Sequence, residues 1–174
     1  MPFLQNTNSK LRHTVLSACA AAALGAGVPG ASAAPAVSLA RSIDVDASPA
    51  VVWTQIGAFC AIKNWHPMIA TCTEDGKVPS TRTLVGKDGK TTFVETQVER
   101  SDAQWLYSYN FVSSPIPAAN YRATIRVVPH GNGGSTVIWS GSYIPASGKE
   151  KEVEGALAGI YESGLNAIRA KFAK

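Results

Sequence analysis

The sequence has no concentration of basic charge. No short window holds more than two or three lysines or arginines, so the electrostatic footprint of a nucleic-acid binder is missing. Histidine and cysteine are scarce. Beyond residue 33 the histidines are His66 and His130 and the cysteines Cys60 and Cys72. They show no CxxC or HxxxH spacing, so no zinc set is expected. There is no Ser/His/Asp order and no phosphate-cradling glycine loop, and the sequence predicts no cofactor. Past the N-terminal segment no apolar run reaches the ~20 residues of a membrane span. Repeats and dividing linkers are also missing. The chain of 174 residues is long enough for one domain with a real core and short for two.

The N-terminus is read apart from the fold. Lys10, Arg12 and His13 form a short basic region, Thr14 to Val28 is apolar and alanine-rich, and Ala31-Ser32-Ala33 is a small-x-small cleavage site. This order predicts a cleavable signal peptide over 1–33, a domain over 34–174, and a periplasmic or secreted location. Leu16-Ser17-Ala18-Cys19 also resembles a bacterial lipobox, which would leave a lipid anchor on Cys19. Residues 1–33 carry Lys10 and Arg12 and no acidic residue, so without them the net charge falls from +4 to +2. Export permits a disulfide between Cys60, expected at a helix end, and Cys72, expected on a strand. Such a bond would stabilise by roughly 2–3 kcal/mol. Two buried free thiols are the alternative.

Val37, Leu39, Ile43 and Val45 alternate along a first strand. Ser48 and Pro49 then sit as N-cap and first helical residue of a short helix ending near Gly57. A second short helix over 60–64 stops before Trp65-His66-Pro67, because a proline disfavours helix in the residue before it. Six strands follow, over 69–74, 81–85, 92–99, 104–111, 121–128 and 136–144. They are separated by turn signals, of which Lys87-Asp88-Gly89-Lys90 is the strongest. From Glu150 to Lys174 apolar residues recur at helical spacing, giving an amphipathic helix about 35 Å long. Its stripe must lie on the concave face of an antiparallel sheet. Gly155, Gly159 and Gly164 weaken that helix, which makes sense where backbone approaches another surface or leaves room for a guest.

The stretches SPAVVWTQIGAF (48–59), NWHP (64–67), RTL (82–84), VETQVERSD (94–102), SPIPAANYRATIRVVP (114–129) and TVIWSGSY (136–143) occur in this order. The order resembles the polyketide cyclase/dehydrase and START-type lipid-transfer superfamily, the SRPBCC group, in an exported bacterial form. That group also holds the birch pollen allergen and the plant abscisic-acid receptors. The resemblance implies an α+β helix-grip fold: a seven-stranded antiparallel sheet wrapped around the long C-terminal helix, with two short helices between strands 1 and 2. It also implies an elongated cavity between sheet and helix.

Trp105, Tyr107, Tyr109 and Phe111 occupy alternate positions and are expected on one face, as are Tyr121, Ala123, Ile125 and Val127, and again Val137, Trp139 and Tyr143. Several tyrosines on one face suggest a pocket with polar tips, since a buried hydroxyl wants a partner. Glu95 shares a face with Phe93 and Gln97. By resemblance to the receptors it points into the cavity, with Tyr121 beside it, and inside it would need Arg82 or Arg41 as partner. The alternative is a solvated glutamate on the convex face. His66 is either a general base or a structural histidine that fixes the entry of the next strand; His130 is expected in solvent. The candidate lining is completed by Trp65, Tyr161 and Ile116, the last as an apolar plug in the Ser114-Pro115-Ile116-Pro117 loop. In the receptors this loop and the hairpin around Gly86–Gly89 correspond to a latch and a gate.

The first functional expectation is an exported binding protein for a hydrophobic or amphipathic small molecule, lipid-like or aromatic. The second is a cyclase/dehydrase-type enzyme with Glu95 or His66 as acid/base. The third is an accessory protein of a periplasmic oxidation system, because exported members of the superfamily are linked to methanol oxidation.

Overall fold

The computed structural model describes residues 35–173. The signal-peptide reading of 1–33 and the lipobox cysteine Cys19 lie outside the described residues. Seven strands form one antiparallel sheet: β1 (Val37–Val45), β2 (Ile69–Glu74), β3 (Thr81–Gly86), β4 (Thr92–Ser101), β5 (Leu106–Ser113), β6 (Ala118–His130) and β7 (Gly134–Pro145). Their spatial order is β1-β7-β6-β5-β4-β3-β2. Every consecutive pair from β2 onward is therefore a hairpin, while β1 pairs with the last strand. Between β1 and β2 run α1 (Pro49–Ile56), a single 3₁₀ turn (Phe59–Ala61) and α2 (Ile62–Trp65); α3 (Glu150–Lys171) closes the chain. This is the helix-grip architecture expected from the element order.

Local chemistry accounts for the elements. Pro49 occupies the first turn of α1, where its missing N–H costs nothing. Ser48 precedes it in extended backbone, but its side chain makes no capping bond. Asp88 organises the β3–β4 turn: Oδ1 accepts the Lys90 and Thr91 N–H groups, and Oδ2 accepts the Thr91 hydroxyl at 2.6 Å. Gly89 takes the positive φ of +68° that this turn requires. Cys60 and Cys72 are joined by a disulfide that ties the 3₁₀ turn to β2, with their Cα atoms 5.5 Å apart.

Trp105 does not join the aromatic row of its neighbours. With φ at 50° it sits in the β4–β5 turn, and β5 begins one residue later. Tyr107 and Tyr109 remain on the buried face, with Phe111 half-buried beyond them.

Val153, Leu157, Tyr161, Leu165 and Ile168 of α3 are buried at helical spacing. The helix packs along β1 and β7 and touches α2. Its glycines divide. A Cβ on Gly164 would come within 2.7 Å of His66 Cδ2, 2.9 Å of the Trp139 ring and 3.0 Å of the Trp65 ring. Gly155 and Gly159 face open space, so the expectation of a close surface or a guest at those two positions does not hold. Gly164→Ala should destabilise by about 1–3 kcal/mol through overpacking against rigid rings. Gly159→Ala should stabilise by up to about 1 kcal/mol through helix propensity. Urea unfolding of the two variants checks both signs.

Candidate ligand-binding site

Because α3 lies over the β1–β7 side, the concave surface of β2 to β5 is left partly uncovered. Aromatic packing fills the covered half. Trp139 stacks on Tyr161 with ring centres 4.6 Å apart, and Trp65 and His66 meet the edge of Trp139 at 5.8 and 5.9 Å. On the other half a cavity of about 210 Å³ remains. Its walls come from Ile62, Ile69, Leu84 and Phe93, from Tyr109, Phe111 and Tyr121, and from Leu157 and Ile160 of α3, with His66 and Glu95 as inner polar groups. Gly86, Thr91 and the exposed Met68, Lys87 and Asp88 form the rim.

Six of the residues singled out from the sequence stand on this wall: His66, Phe93, Glu95, Tyr109, Phe111 and Tyr121. The other six do not. Trp65, Trp139 and Tyr161 belong to the aromatic block under α3. Tyr107 packs on Trp53 and Phe59 with ring centres 5.9 and 5.7 Å apart. Arg82 is wholly buried behind the cavity. Ile116 is buried in the core and is no plug of this cavity. Its loop is held elsewhere, as the Ser114 hydroxyl accepts the Ile116 N–H and the Pro117 carbonyl accepts the Ala146 N–H. The Gly86–Gly89 hairpin, by contrast, does reach the rim. Sequence reasoning missed Ile62, Met68, Ile69, Leu84, Leu157 and Ile160. For all but the exposed Met68, which lies in a turn, periodicity marks them as apolar and inward-facing, and periodicity cannot tell a residue touching protein from one touching a void.

Glu95 faces inward, and its partner is Arg82 rather than Arg41, which pairs at the surface with Glu162 at 2.7 Å. Arg82 and Glu95 stand directly opposite each other on β3 and β4. Arg82 Nε donates to Glu95 Oε2 at 2.7 Å. Nη2 lies 2.6 Å from the same oxygen, in ion-pair contact but out of line for a second hydrogen bond. Nη1 donates to the Phe59 carbonyl, and the guanidinium carbon sits 4.0 Å over the Phe59 ring and 5.0 Å from that of Tyr109. Burial pushes the Glu95 carboxyl above the usual carboxylate range, while Arg82 pulls in the opposite direction. The arginine stays charged. Burial alone would lower its pKa, but the Glu95 carboxylate, with Tyr107 and Tyr109 beside it, raises it by more.

His66 has both ring nitrogens engaged. Nδ1 accepts the Met68 N–H at 3.2 Å, so the ring proton is on Nε2, which donates to the Ile160 carbonyl at 3.0 Å. Burial pushes its pKa down, against the upward pull of the Ile160 bond, and the charge on Arg82 adds to the fall. The ring thus works as a neutral bracket between β2 and α3. Tyr121 and Tyr161 share a hydrogen bond at 2.8 Å, and Tyr109 accepts Trp139 Nε1–H at 3.0 Å. A Cβ on Gly141 would lie 2.4 Å from the Tyr161 hydroxyl, so that glycine makes room for the pair.

Fold and site together define a helix-grip protein with an off-centre, largely apolar cavity. Residues 36–173 match the family described as polyketide cyclase / dehydrase and lipid transport, and the chain belongs to it. No curated protein matches the sequence. Among solved structures it is similar to the protein XoxI from Bacillus cereus, at 30% identity and a TM-score of 0.73, over 78% of this chain and 94% of that one. A protein from Thermobifida fusca is 32% identical with a TM-score of 0.69, over 78% and 92% of the two chains. The Zhui aromatase/cyclase from a Streptomyces species shares the fold at 12% identity, with a TM-score of 0.63 over 79% and 93%.

Two predictions follow from the buried polar groups. Arg82→Met should cost about 3–5 kcal/mol by leaving Glu95 unpaired, and adding Glu95→Leu should restore most of it. A double variant as unstable as the single one in urea would show that charge compensation is not what the pair supplies. His66 titrates at about 6.5 when unfolded and lower when folded, so its stabilising contribution is whole above that pH. It is lost as the pH falls below about 6.5, by up to ~1.4 kcal/mol per pH unit. His66→Gln should flatten this dependence between pH 7 and 5 in chemical denaturation.

Proposed function

We propose that the protein is an exported carrier or binder of a small, mainly hydrophobic molecule held in the cavity between β2–β5 and α3. The observation that carries this reading is the cavity itself. A well-packed interior leaves few voids larger than a water molecule, yet here about 210 Å³ stays open beside an aromatic wall and reaches a rim of exposed residues. Burial of the guest's apolar surface there contributes roughly 25 cal/mol per Å². The volume lies below the ~300–1,000 Å³ of sites for drug-sized ligands, so the guest is small, on the scale of one ring with a short chain. Export is supported by the N-terminal pattern and by the Cys60–Cys72 disulfide, since such bonds persist in oxidising compartments.

A binder fits better than an acid/base enzyme. The expected catalytic candidates lack an acid/base pairing: His66 has no free ring nitrogen, and Glu95 is ion-paired to Arg82 through Oε2, with no tyrosine or histidine bonded to it among the described residues. Native mass spectrometry of the protein purified from its own host should reveal a co-purifying small molecule. Leu84→Phe, which narrows the cavity, should abolish its retention while the circular dichroism spectrum stays unchanged. If nothing co-purifies, and a panel of aromatic and short-chain compounds gives no thermal shift, the binding role fails.

A further inference from the structure

The electrostatics of the cavity are one-sided. Arg82 and Glu95 form a pair with no net charge, but only one member meets the cavity. Arg82 is 0% exposed and absent from the wall, and its donors go to Glu95 Oε2 and the Phe59 carbonyl. Glu95, at 4% exposure, stands on the wall, and among the described residues its Oε1 takes no hydrogen bond. The other polar groups of the inner wall are uncharged and at least partly engaged, with the Tyr109 hydroxyl accepting from Trp139 and keeping its own hydrogen. His66 bonds Met68 and Ile160, Tyr109 bonds Trp139, and Tyr121 bonds Tyr161. The Asp88 oxygens and the Thr91 hydroxyl serve their own hairpin. What an entering molecule meets at the inner end is therefore one unclaimed carboxylate oxygen, the one charged group there among the described residues, beside rings, methyl groups and neutral tyrosine hydroxyls.

From this we infer that the cavity selects molecules carrying a hydrogen-bond donor on an apolar body, an alcohol, phenol or amine, and rejects the corresponding carboxylic acids. The inference rests on the reading of the cavity as a ligand site and names the class of its ligand. A hydroxyl or ammonium group donates to Oε1 and satisfies a buried acceptor that otherwise goes unpaired. A ligand carboxylate brings a second negative charge to the same oxygen in a low-dielectric site, where like charges repel strongly. Arg82 offsets only part of that repulsion, because its guanidinium stands off the cavity wall behind Glu95 and gives an entering carboxylate no hydrogen bond. The charged rim residue Lys87 lies at the mouth, on the exposed hairpin, and does not alter what is met inside.

The test uses four probes on one skeleton: 4-phenylbutanol, 4-phenylbutylamine, 4-phenylbutyrate and butylbenzene. Dissociation constants are measured by calorimetry at pH 7. The alcohol and the amine are expected to bind at least tenfold more tightly than the acid, and Glu95→Gln should narrow that gap to threefold or less. Since Glu95→Gln leaves Arg82 unpaired and can fail to fold, the double variant Arg82→Met/Glu95→Leu is measured alongside. It should bind butylbenzene at least as well as the native protein does and lose its preference for alcohol and amine. If the acid binds the native protein as tightly as the alcohol does, or the preference survives in the double variant, the donor selectivity is wrong while the cavity reading stands. If none of the four binds, the cavity reading fails and this inference with it.

Discussion

The off-centre seat of α3 on the sheet is the constraint from which the other features follow. A helix laid along the middle of a curved seven-stranded sheet would fill the space it encloses. Here the apolar stripe of Val153, Leu157, Tyr161, Leu165 and Ile168 is drawn to the β1–β7 side. Gly164 sets the distance. Only a residue without a side chain lets the rings of Trp65, His66 and Trp139 come against the helix backbone. The bond from His66 to the Ile160 carbonyl holds the same turn from the other direction. One glycine and one histidine thus clamp the helix to half of the sheet, and the opposite half becomes the cavity wall.

That arrangement explains how a buried ion pair comes to line an apolar pocket. Moving two charges out of water is costly, and attraction repays the cost only with good geometry and further hydrogen bonds. The β3–β4 hairpin supplies the geometry by placing Arg82 opposite Glu95. The 3₁₀ turn supplies the remaining acceptor through the Phe59 carbonyl, and the disulfide at Cys60 ties that turn to β2. Shielding of the guanidinium by Phe59 and Tyr109 leaves the carboxylate as the face presented to a guest. A neutral pair becomes a directional acceptor because only one of its two buried halves stands on the cavity wall.

Much of the fold is legible in the sequence. The alternation from Val37 to Val45, the Pro67 break, the Asp88-Gly89 turn and the stripe from Val153 to Ile168 place the elements to within a few residues. Where the reading slipped, the reasons are particular. Trp105 looked like the first member of an aromatic row, but local turn geometry put it at positive φ. Gly155 and Gly159 were grouped with Gly164, although helical spacing puts only Gly164 on the apolar stripe with Leu157, Tyr161 and Ile168. Ile116 looked like a plug because prolines flank it, yet its loop is fastened to the chain after β7. The opposition of Arg82 and Glu95 was within reach of counting outward from the hairpin turn, but the face on which Glu95 stands and the choice between Arg82 and Arg41 were both left open.

Short-range chemistry is what the sequence by itself determined: which segments are strands or helices, where turns fall, and which faces are apolar. Those depend on residues a few positions apart, whose contacts are set by the period of the element. Only the tertiary structure decided which apolar residues touch one another and which line a void. That choice depends on where a helix more than fifty residues from the β3–β4 hairpin comes to rest on the sheet, and on the close approaches at Gly164 and Gly141, where a Cβ would come within 2.7 and 2.4 Å of a neighbour. Leu84 in the cavity wall and Val137 in the packed core carry the same signal in sequence. The position of α3 alone gives one of them a guest to meet and the other a neighbour.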